Sequence, residues 1–128
     1  MITLKHYQTR VLDSLRDFFR QCSRDGRPEA AFQAVQLRND RTPMPYFPVA
    51  AAGLAAGMPY VCLRVPTGGG KTLLACHAAG LAMDEFMRAE RAVVLWLVPS
   101  NTILDQTADA LRDPRHPYRR ALELACGT

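Results

Sequence analysis

Tyr60-Val61-Cys62-Leu63-Arg64-Val65-Pro66-Thr67-Gly68-Gly69-Gly70-Lys71-Thr72 is the stretch on which the fold turns. Its first six residues are a short apolar, partly β-branched run, which predicts a strand. Three consecutive glycines follow. Only glycine takes positive φ without steric cost, so these residues let the backbone turn its amides inward. A ring of inward amides is a concave cradle for phosphate oxygens. From Thr72 to Arg88 the apolar positions Leu73, Leu74, Cys76, Ala79, Leu81, Ala82, Phe86 and Met87 predict a helix, apolar around much of its circumference. A helix that begins at the cradle adds its own N–H groups and dipole to the pull on an anion. Lys71 then brings a point charge to β- and γ-phosphates, and Thr72 a hydroxyl to magnesium. The bland alternative is a glycine-rich turn with an incidental lysine.

The same reasoning works outward along the chain. Val11, Leu12, Leu15, Phe18, Phe19 and Cys22 recur at helical spacing, so a helix is expected over Tyr7–Cys22, ended by Gly26 and Pro28. A second helix is expected over Glu29–Arg38. Pro43, Pro45 and Pro48 exclude a helix or central strand over 39–49, and Tyr46 and Phe47 there are expected to cover apolar surface. Ala92–Val98 is near-continuously apolar, which predicts a second strand covered on both faces with Trp96 in the core. Pro99-Ser100-Asn101 breaks it. Asn101 is the expected N-cap of a helix from Thr102 to about Arg112. Another helical turn or two is expected over Tyr118–Ala125. Strand, loop, helix, strand, helix predicts an α/β fold with a parallel sheet and a right-handed crossover.

Composition sets wider bounds. The 128 residues carry a net charge of +4, and all the basic residues but Lys5 and Lys71 are arginine. That permits phosphate contact without demanding it. No two of Cys22, Cys62, Cys76 and Cys126 lie at a metal-ligand spacing, which argues against zinc. Cys22 and Cys62 read as buried thiols, and a reducing cytoplasm fits. The first six residues do not resemble a signal peptide, and the apolar run Val93–Pro99 is too short to cross a bilayer.

The general phosphate-loop pattern places glycine at position 65, where this chain has Val65. The narrower pattern Pro/Ala-Thr-Gly-x-Gly-Lys-Thr is met in full by Pro66–Thr72, which resembles motif I of superfamily 2 DEAD/DEAH-type helicases and translocases. Leu4-Lys5-His6-Tyr7-Gln8 is similar to the segment that opens that superfamily, where a glutamine contacts adenine. By that match Gln8 reads the base, with Tyr7 packed beside it. Leu97–Thr107 resembles motif Ia, whose loop and first helical turn touch the nucleic-acid backbone, here Pro99, Ser100, Asn101 and Thr102. Pro59–Thr72 is most similar to the restriction (Res) subunit of type III restriction enzymes.

The resemblance implies a RecA-like P-loop NTPase of three layers, here an incomplete first motor lobe. Residues 1–128 would be its N-terminal part, with helices and a Pro-rich loop over 1–49 and the strand, loop and helix units over 58–128. It implies ATP held by Gln8, Thr67, Gly68, Gly69, Gly70, Lys71 and Thr72, with Lys71 and Thr72 in the catalytic role and Thr72 on Mg2+. It implies double-stranded DNA as partner, together with a second motor lobe in the rest of a longer chain. A modification methyltransferase subunit and a nuclease activity belong to the same picture. Asp84-Glu85 lies thirteen residues after Lys71 inside the expected helix, and is read as a solvated helix edge rather than the acidic pair of the family. An isolated chain of these residues is expected to bind nucleotide weakly and not to turn it over. The alternatives are a catalytically silent nucleotide- or DNA-binding remnant and an unrelated P-loop ATPase or kinase. Arg115, His116, Arg119 and Arg120 read as a solvated basic surface.

Overall fold

The computed structural model describes residues 3–39, 41–42, 44–66 and 70–127. Helix α1 spans His6–Asp25 and buries Leu12, Leu15, Phe18 and Cys22 at intervals of three and four. Gly26 closes it, donating its N–H to the Cys22 carbonyl (2.9 Å). Helix α2 (Pro28–Arg38) starts on a proline, whose missing N–H costs nothing in a first turn. Its Ala31 and Val35 complete one buried cluster with Leu15, Phe18 and Cys22. Each large apolar side chain buried there contributes roughly 1.5–3 kcal/mol. Arg38 pairs with Asp17 across the two helices.

From Arg41 to Pro66 the described chain is irregular, apart from a 3-10 turn at Val49–Ala52. Tyr46 does cover apolar surface. Its ring meets Phe32 edge-on at 5.3 Å, and its hydroxyl accepts the Tyr60 N–H at 3.0 Å. Phe47 is exposed.

Helix α3 (Lys71–Leu81) runs on into a π-helical segment, Ala82–Met87. The segment packs on α1, with Phe86 against Phe19 (centroids 6.4 Å apart) and Glu85 paired to Arg20. Helix α4 spans Asn101–Arg112 and α5 spans Pro117–Cys126. Helix α3 packs on α5 where Gly80 faces Ala125. A Cβ at Gly80 would fall 2.5 Å from the Ala125 carbonyl oxygen, so glycine sets the approach of the two helices. Helix α4 leans on α5 and buries Ala110.

The expected sheet does not form among the described residues. Among the described residues no strand forms, and the fold is helical rather than a three-layer, RecA-like α/β arrangement with a parallel sheet. Residues 60–65 and 91–98 carry no strand or helix, and no ladder joins them. Val93 is 99% exposed, and Leu95 and Leu97 are each 81% exposed. β-branching favours an extended backbone, but a strand exists only when a neighbour accepts and donates its hydrogen bonds. Neither run has such a neighbour among the described residues. Two local expectations fall with the sheet: Trp96 is half-buried rather than core, and Cys62 is exposed.

Candidate functional site

The chemistry-bearing residues nearest the glycine run gather where α3 begins. Gly70 is its N-cap, with φ +78° and ψ 42° and no side chain to cap the helix. The first helical bond runs from the Leu74 N–H to the Gly70 carbonyl (2.9 Å). The N–H groups of Lys71, Thr72 and Leu73 therefore have no acceptor inside the helix, as at any helix start. Lys71 is exposed and Thr72 half-buried in that first turn. Thr67, Gly68 and Gly69 lie outside the described residues.

Gln8 reaches the same place from α1. It is buried, and its Oε1 accepts the Lys5 N–H at 2.9 Å, which closes the start of α1. A Cβ on Gly70 would fall 2.5 Å from Gln8 Nε2. Position 70 is thus confined to glycine twice over: by a left-handed backbone and by a buried amide where a side chain would begin. Two segments that the sequence could relate only by resemblance, 62 residues apart, are in contact. Tyr7 beside Gln8 is half-buried.

The second candidate segment begins α4. Pro99, Ser100, Asn101 and Thr102 are all exposed. Here the structure corrects the expected cap. Ser100, not Asn101, is the N-cap, its Oγ accepting the Ile103 N–H at 3.3 Å, and Asn101 is the first helical residue. Serine and asparagine cap almost equally well, so residue type alone does not choose between neighbours.

Asp84 and Glu85 part company. Asp84 is exposed, as a solvated edge should be. Glu85 is not free: both its oxygens accept from the Arg20 guanidinium, at 2.8 and 3.1 Å, and Arg16 approaches to 4.0 Å. The Arg20 hydrogen bonds hold the Glu85 carboxyl below its ordinary range, and the same pair raises Arg20. His77 is half-buried on α3, and burial pushes its imidazole below the usual value. It lines a cavity of about 380 Å3 with Leu12, Asp13, Arg16 and Asp84. Burial lifts the thiols of Cys22 and Cys76 to about 11, so both stay protonated near neutral pH.

The π-helical segment went unforeseen. A helical apolar pattern does not separate α from π, although such segments recur at functional sites. Its exit at Arg88 is left-handed (φ 51°), which a non-glycine residue seldom adopts. Among the described residues no three His, Cys, Asp or Glu side chains converge as metal ligands. No described helix is long and apolar enough to cross a membrane.

Residues 1–126 match the family described as "Type III restriction enzyme, res subunit". No curated protein and no solved structure matches the chain.

Proposed function

This chain belongs to the family of the type III restriction enzyme res subunit, and from that premise we propose that it is the nucleotide-gripping N-terminal part of an ATP-dependent DNA helicase or translocase. The observation that carries the reading is the meeting of Gln8, Gly70, Lys71 and Thr72 at the start of α3. These residues suit a magnesium nucleotide. The first-turn N–H groups, which have no acceptor inside the helix, and the helix dipole suit the phosphates. Lys71 projects an ammonium into solvent from the first helical residue, free to meet the terminal phosphates as a point charge. Thr72 follows with the hydroxyl that suits Mg2+. ATP, when bound, supplies the phosphoanhydride whose cleavage drives such motors.

The remaining steps belong to the chain. Gln8 brings to the start of α3 an amide that can donate and accept together, and reading an adenine edge there requires it to share or exchange the bond its Oε1 accepts from the Lys5 N–H. Because that amide also abuts Gly70, base recognition and loop geometry are set in one place. Thr67, Gly68 and Gly69 complete the phosphate grip in this proposal. Ser100, Asn101 and Thr102, with exposed Pro99, offer N–H and hydroxyl groups to a DNA backbone, where contacts position the strand without reading its sequence. Glu85 is committed to Arg20, so it does not activate water. The chain therefore binds nucleotide without rapid turnover. Four free cysteines fit a reducing cytoplasm, and a restriction system with a modification methyltransferase subunit and a nuclease is the setting we infer from the family.

The test is a titration of a fluorescent ATP analogue, with Mg2+ present, against the wild-type chain and Lys71→Ala. Weaker binding by the variant supports the reading. Equal affinities reject the role of Lys71. Fast phosphate release that stops in Lys71→Ala would reject the binding-only role.

A further inference from the structure

The corner between α4 and α5 holds four arginines within nine residues: Arg112, Arg115, Arg119 and Arg120. Two of the nearby acids make local bonds. Asp113 accepts the Arg115 backbone N–H (2.9 Å), and Glu123 pairs with Arg119 (2.7 Å). Arg119 also donates to the Leu111 carbonyl (2.9 Å), tying the start of α5 to the end of α4. Pro114 and Pro117 restrict the connecting backbone further. The guanidinium groups of Arg112, Arg115 and Arg120 remain exposed and, among the described residues, have no ion-pair partner. Arg120 is also poorly placed for its own helix. It lies in the first turn of α5, where the helix dipole disfavours a cation. Arg119 beside it is compensated by Glu123, whereas Arg120 is not. A cation held at local cost on a braced corner suits an anion brought from outside.

We propose that this corner is a second phosphate-backbone contact for duplex DNA, made by Arg112, Arg115 and Arg120. It rests on DNA being the partner and adds a site separate from Pro99–Thr102. Twelve helical residues separate the two ends of α4, a span of about 18 Å, or about five base pairs of duplex. Asp105 and Asp109 lie between and repel phosphate, so the two contacts are discrete rather than one continuous track.

The experiment measures binding of a fluorescent duplex to the full chain by anisotropy across salt concentrations. It compares wild type with Arg112→Gln/Arg115→Gln/Arg120→Gln. The control, Arg24→Gln/Arg27→Gln/Arg41→Gln, removes the same charge from exposed positions elsewhere. Each phosphate contact contributes about 0.9 to the slope of log affinity against log salt, so three lost contacts flatten it by about 2.7. We expect at least a tenfold loss of affinity near 0.1 M salt for the corner variant, against less than threefold for the control. Equal losses in both would reduce the effect to bulk charge and overturn the proposal. An unchanged corner variant would overturn it too, as would equal displacement by polyglutamate. If wild type binds no duplex, the DNA reading fails with it, whereas Ser100→Ala weakening while the corner variant does not removes the corner alone.

Discussion

Replacing Gly70 by alanine tests the meeting of α1 with the start of α3. The new Cβ occupies a left-handed residue (φ +78°), which costs an L-residue roughly 1–2 kcal/mol. It also falls 2.5 Å from Gln8 Nε2, so the glutamine amide must move. Moving it breaks the bond from the Lys5 N–H to Gln8 Oε1, worth about 0.5–1.5 kcal/mol. The stiffer unfolded chain of alanine returns roughly 0.4–1 kcal/mol. The net loss is about 2 kcal/mol, or about 8 °C in Tm for a chain of this length. In a Gln8→Ala background the clash and the bond are already gone, so only the backbone part remains. Thermal denaturation of wild type, both single variants and the double variant closes the cycle. We expect coupling of about 1 kcal/mol. A cycle additive to within about 0.3–0.5 kcal/mol would refute the contact, since independent sites add to that tolerance.

Three further outcomes follow from the geometry. Gly80→Ala gains up to about 1 kcal/mol of helix propensity but meets Ala125 backbone at 2.5–2.7 Å, so overpacking of about 1–3 kcal/mol wins and Tm falls. Adding Ala125→Gly rescues this only in part, because the backbone contacts stay, and a rise in Tm for Gly80→Ala would sink the account. Ser100→Ala lowers stability by about 1 kcal/mol while Asn101→Ala changes it little, as chemical denaturation will show; the reverse order would return the cap to Asn101. Glu85 has a folded-state pKa below its ordinary 4.5, so its stabilisation is present above that value and is lost as pH falls through the folded value. The Tm of Glu85→Gln should therefore fall less than wild type between pH 5 and pH 3, and parallel acid limbs would deny Glu85 that role.

The helices were legible because their apolar faces repeat within one element. Leu12, Leu15, Phe18 and Cys22 announce α1 without reference to anything else. Gly26 and Pro28 mark its end by backbone conformation alone. The two apolar runs, 60–65 and 92–98, depend on what lies beside them, and apolar, β-branched residue types do not by themselves supply a pairing neighbour. The same limit applies at the site. A strand was expected before the glycines and a helix after, and only the helix is present. Lys71 and Thr72 stand at that helix start, as the spacing implied. No pattern within either segment could have shown that Gln8 closes on Gly70, because the contact joins α1 to α3 through tertiary packing. Nor did Asp84-Glu85 hint at its division of labour, which depends on Arg20 standing opposite one carboxylate and not the other.

Val93, Val94, Leu95 and Leu97 present bare apolar side chains on a backbone outside any sheet or helix. A short, β-prone, uncharged run of this kind is a template for joining its own copies edge to edge. Handling of the purified chain will accordingly be governed by concentration: dilute samples stay clear, and crowded ones grow fibrils or precipitate through residues 92–98. A charged residue placed at Leu95 would act as a gatekeeper against that self-assembly while leaving the start of α3 untouched.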